Sequence, residues 1–142
     1  MHKKATVFLW GSVFIFLLAL YTQITLMNND VSIYSSNWEE GSKTSSTNDS
    51  IKKHKTIHMD VKKKTTIYIS YKGEVQGNPH TFKIIDTNNN VLIDKTGKII
   101  DIYKEKVTLE KGPYKIIINI HNAKHIHLGY NIIHRKQDVI FP

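Results

Sequence analysis

Apolar residues follow two regimes along this chain. Between Val7 and Met27 they form one run, VFLWGSVFIFLLALYTQITLM, with no charge and no proline. From Thr56 onward they alternate with polar residues. The run predicts a helix. At about 1.5 Å rise per residue it matches the roughly 30 Å hydrocarbon core of a bilayer. Lys3 and Lys4 precede it, Asn28-Asn29-Asp30 follow it, and the next base is Lys43. The positive-inside bias therefore predicts a cytoplasmic N-terminus over residues 1–6, a transmembrane signal-anchor helix over 7–27, and everything beyond on the outer side of the cell membrane. Signal cleavage requires small residues after the apolar run. Ala19-Leu20-Tyr21 ends on a large ring and Thr22–Leu26 prolongs the run, so the anchor is expected to be kept.

The second regime has period two, the spacing of a strand with one face buried. Ile57, Met59 and Val61 share one face, as do Ile67, Ile69 and Tyr71, then Phe82 and Ile84. Val91–Asp94, Ile99–Tyr103 and Lys106–Leu109 are shorter runs. Tyr114, Ile116, Ile118 and Ile120 follow, then Ile126, Leu128, Tyr130 and Ile132. Asn88-Asn89-Asn90 and Lys95-Thr96-Gly97-Lys98 are turn signals between them. Seven or eight short strands rich in isoleucine and tyrosine predict an all-β fold over residues 56–142. The expected architecture is an antiparallel β-sandwich, jelly-roll or Ig-like.

Residues 28–55 fit neither regime. Gly41–Ser50, GSKTSSTNDS, is turn-forming and polar and has too little apolar surface to offset the entropy of ordering. The stretch reads as a flexible extracytoplasmic linker. Val31, Ile33, Tyr34 and Trp38 stand out in it as apolar residues suited to a membrane surface or a partner.

Leu109-Glu110-Lys111-Gly112-Pro113-Tyr114-Lys115-Ile116 has the form L-x-x-G-x-Y-x-I. In many sandwiches a leucine plugs the core at such a corner, glycine permits the turn and the tyrosine hydroxyl bonds back to the backbone. Leu109, Gly112 and Tyr114 are therefore expected to build a structural corner. Gly129-Tyr130-Asn131-Ile132 echoes it. The order of an early apolar strand, a D-x-N-N-N-V hairpin, L-x-x-G-x-Y-x-I and a closing G-Y-x-I resembles the bacterial pre-peptidase C-terminal domains over residues 56–135. These are small jelly-roll sandwiches appended to secreted enzymes. The acidic strand common in that family is replaced here by His80-Thr81-Phe82-Lys83, so the resemblance carries over no calcium site.

Charge is unevenly placed. Residues 28–50 carry one lysine and four acids, a net of −3, whereas residues 51–142 carry seventeen bases and eight acids, a net of +9. A basic domain outside a membrane is drawn to anionic lipid or wall polymer. The location argues against nucleic acid. The absence of cysteine removes disulfides, thiol catalysis and cysteine-ligated zinc.

Candidate chemistry is sparse. His125 and His127, two apart on a strand, share a face, and His121 stands across the Asn122-Ala123-Lys124 turn. These three are the metal candidates if the fold clusters them. Asp86-Thr87-Asn88-Asn89-Asn90 lacks the glycine and glutamate of an EF-hand and reads as a hairpin turn. Ser70 sits in mid-strand, and no nucleophile elbow, phosphate loop or H-E-x-x-H is present. The chain is therefore expected to be no enzyme and to need no cofactor. The expected function is a membrane-anchored binding or assembly module at the cell envelope, with envelope proteins or an anionic wall or lipid surface as partners. The alternatives are a metal-binding ectodomain and a small inhibitor or immunity-type envelope protein.

Overall fold

Eight strands form one antiparallel sheet in the computed structural model, which describes residues 30–41 and 50–142. The strands are β1 (Val31–Gly41), β2 (Ile51–Val61), β3 (Thr65–Gly77), β4 (His80–Asp86), β5 (Val91–Gly97), β6 (Ile99–Leu109), β7 (Gly112–Arg135) and β8 (Val139–Ile140). The apolar run 7–27 lies outside the described residues. Within them, no helix is long and apolar enough to cross a membrane.

β7 organises the sheet. Its first half pairs with β2 and β4, and its second half with β3. β1 also pairs with it. Gly41 abuts His125 and Gly129 abuts Asn37, so the two strands run in opposite directions. The pairings give two layers, β5-β4-β7-β2-β8 and β6-β3-β7-β1, that share β7.

The change of layer is written into the backbone near residue 122. Asn122 has φ 52°, in the left-handed region that asparagine tolerates better than most residues. Opposite it, Gly77 has φ 130°, and a Cβ there would lie 2.4 Å from the Asn122 carbonyl oxygen. The β3–β7 register shifts between Gln76 and Gly77, and the β2–β7 register between Ile51 and Lys53. Bulges of this kind bend strands together.

Alternation carries one side of every long strand inward. Ile57, Met59, Ile67, Ile69, Phe82, Ile84, Ile116, Ile118, Ile120, Ile126 and Ile132 make the buried centre. β-Branched side chains fill this space with few rotamers to lose. At the end away from the bend, Leu109 is fully buried and the Tyr114 hydroxyl donates to the Glu110 carbonyl at 3.0 Å. There too, Asp138 is buried and accepts the Thr65 hydroxyl at 3.0 Å, with the Lys63 ammonium 3.1 Å away. Burial would raise its carboxyl, but Lys63, Thr65 and Arg135 outweigh that and hold it below its ordinary value.

Strand structure begins earlier than the sequence pattern indicates. Residues 31–41 and 51–55, read as linker, form β1 and the start of β2; residues 42–49 lie outside the described residues. In β1 the half-buried positions are Ser32, Tyr34, Ser36, Trp38 and Glu40. They mix ring, hydroxyl and carboxylate, so polarity alone does not reveal their period.

Candidate functional site

β2 opens with four consecutive bases, Lys52-Lys53-His54-Lys55. Strand alternation splits them. Lys52 and His54 are exposed on the outer face of the first layer, while Lys53 and Lys55 turn toward the side of the molecule where β1 lies. There they overhang aromatic rings. The Lys53 ammonium sits 4.2 Å from the Trp38 ring centroid and pairs with Glu40. The Lys55 ammonium sits 5.3 Å from the Tyr130 ring. Tyr34 stacks on Phe141 with centroids 4.1 Å apart. An open cleft of about 650 Å³ runs along this side, lined by Ser36, Asn37, Trp38 and Lys52 to Lys55. Cation–π contact holds each ammonium near the surface; Lys53 is paired with Glu40, and Lys55 keeps its donors for an anion.

The outer face of the first layer extends this basic character. Besides Lys52 and His54 it carries His58, Lys115 and His121, all exposed. His58 stands opposite Lys115 in the β2–β7 register. The acids on this face are already matched: Asp94 pairs with Lys83 at 2.9 Å and Asp60 with Lys62 at 2.5 Å. The outer face of the second layer differs. It mixes Glu39, Glu74 and Asp101 with Lys72, Lys106, His125 and His127, and Lys72 lies opposite Asp101.

The metal candidates divide across the bend. His121 lies on the outer face of the first layer and His125 and His127 on that of the second, because β7 changes layer at Asn122. The Glu39 carboxylate stands between His125 and His127, 3.8 Å from a ring nitrogen of each. That separation exceeds hydrogen-bond reach. Among the described residues no group of three histidines, cysteines or acids is arranged to hold a metal ion.

One buried polar group escapes the sequence pattern. His80 is fully buried against Tyr71 and Gly73. A Cβ on Gly73 would lie 2.3 Å from its Nε2, so only glycine leaves room for the ring. Neither His80 nitrogen nor the Tyr71 hydroxyl reaches a partner in hydrogen-bond geometry. Burial lowers the basicity of the imidazole, and the Gly97 backbone offsets this only in part.

No protein-family model and no curated protein matches the chain. Among solved structures it is similar to a chain described as "Structure of infectious bursal disease virus Gx strain", at 11% identity and a TM-score of 0.29. The match covers 74% of this chain and 33% of the viral one. A likeness that low carries no argument about fold or role, and the pre-peptidase resemblance rests on its own residues alone.

Proposed function

We propose that the protein is a binding and assembly module of the cell envelope, held by the segment 7–27 as a single-pass anchor with its N-terminus inside. In this reading the strands form a jelly-roll or Ig-like sandwich outside the membrane and the module performs no catalysis. The observation that carries it is the β1–β2 side: four bases of β2 beside an open cleft that Trp38 also lines, continuous with a face whose acids are already paired. Such a surface offers an anionic partner the ammonium groups of Lys52 and Lys55 and the Trp38 ring, with Lys53 already paired to Glu40.

The test is adsorption of the full chain, in neutral detergent micelles, to immobilised anionic wall polymer or anionic lipid. Binding is expected at low salt and should weaken as ionic strength rises, because exposed charges are screened beyond about 8 Å at physiological salt. The triple change Lys52→Gln, Lys53→Gln, Lys55→Gln should remove most of it. Charge changes of the same number at Lys72, Lys104 and Lys106 should remove little. Equal losses from both sets would reduce the site to bulk charge.

A further inference from the structure

Resting on that reading, we propose that the free edge of β2 takes an extended acidic segment of a partner protein as an added antiparallel strand. β2 has β7 on one edge along its whole length. On the other edge it has β8, and only at Asp60 and Val61. Beyond Ile140 the chain leaves this edge, and the Phe141 ring stacks on Tyr34 instead. Among the described residues, Ile51 to Met59 are thus unpaired on this side. At about 3.3 Å per residue they span roughly 30 Å, room for a strand of ordinary length.

The backbone polarity of that edge can be read from one bond. The Lys62 amide donates across it to the Asp138 carbonyl at 2.8 Å. Main-chain groups alternate sides along a strand. The N–H and C=O of His58, Thr56 and His54 therefore face the same open edge. β8 already shows the geometry such a guest adopts, in line with it and antiparallel to β2.

The other edges are less suited. β6 is interrupted by a register shift opposite Ile69 and Tyr71, with Lys104 at φ 46°, and carries charges of both signs. β5 spans seven residues and has its own register shift. β2 runs without a shift from Lys53 to Val61.

Charge then selects the guest. Lysines on an edge strand commonly discourage pairing, above all pairing with a second copy that brings the same lysines. Here Lys52 and Lys55, with Lys53 already paired to Glu40, would repel another copy of this edge and attract a strand with acidic side chains. The backbone supplies affinity and the ammonium groups supply selection.

The probe is a labelled ten-residue peptide of alternating glutamate and valine, added to the full chain in neutral detergent micelles and followed by fluorescence anisotropy. Two control peptides carry lysine for glutamate, or N-methyl groups on the amides that would face β2. Each control should bind about tenfold or more weakly. Amides of His54, Thr56 and His58 should become protected from exchange on binding of the first peptide. Thr56→Pro, which removes one edge donor, should weaken binding similarly; the N-methyl comparison leaves the protein unaltered and so stands even if that variant misfolds. Equal binding of the methylated peptide, or no binding of the acidic one, would overturn the proposal. If anionic polymer still adsorbs in those cases, the broader reading survives and strand addition alone fails. If neither binds, both fail.

Discussion

Tyr114 and His80 show opposite ways of burying a polar side chain. The Tyr114 hydroxyl has a backbone acceptor within its own corner, the Glu110 carbonyl. Tyr114→Phe is expected to lower stability by about 1–2 kcal/mol in urea melts, because a part-buried acceptor loses its donor. His80 has no such partner and stays neutral because burial disfavours its charged form. Its folded-state basicity lies below its unfolded value of about 6.5. At low pH the unfolded chain therefore binds the extra proton more readily than the folded one. The His80 contribution is fully present above about pH 6.5 and is lost as pH falls from there toward the folded-state value. Urea melts from pH 7.5 to 5 should show that loss, and His80→Phe should flatten it. An unchanged slope in the variant would mean another group sets the acid response.

At the scale of elements, the strands from Ile57 onward are legible because their inward positions are mostly isoleucine, valine, tyrosine and other apolar residues, with polar exceptions such as His80 and Thr65, while most outward ones are polar. β1 is not, since its inward positions mix tyrosine, serine, tryptophan and glutamate. Nor is the bend legible. Asn122-Ala123-Lys124 reads as a hairpin turn, yet the strand passes through it and only changes layer. A left-handed asparagine in a continuous strand and one closing a hairpin have the same local sequence. What separates them is Gly77 and the registers of β2 and β3, all remote in the chain. That ambiguity is also why His121, His125 and His127 could be grouped from sequence. The candidate site was legible in content, as the run Lys52 to Lys55, but not in arrangement, because the cleft needs β1. The bend makes its own prediction. Asn122→Gly should be close to neutral, while Asn122→Val should cost roughly 1–2 kcal/mol in the same melts, since a branched side chain resists the left-handed region.

At the scale of the molecule, the two outer faces differ in charge. The first-layer face holds His54, His58 and His121 beside unpaired Lys52 and Lys115, whereas the second mixes both signs. Adsorption to an anionic polymer at low salt should therefore fall more when Lys52 and Lys115 are replaced by glutamine than when Lys72 and Lys106 are. Equal losses from the two pairs would mean that neither face is preferred. β7 has a consequence in time as well as space. It pairs with β1, β2, β3 and β4, yet all but two of the eight strands precede it in the chain. During synthesis those partners emerge with no hub to pair with, and long-range strand pairing is slow in any case. The layered fold cannot close until residues near Arg135 have arrived, so a chain crossing a membrane behind a segment that stays in it would travel as an unfolded polymer and become a domain only on the far side.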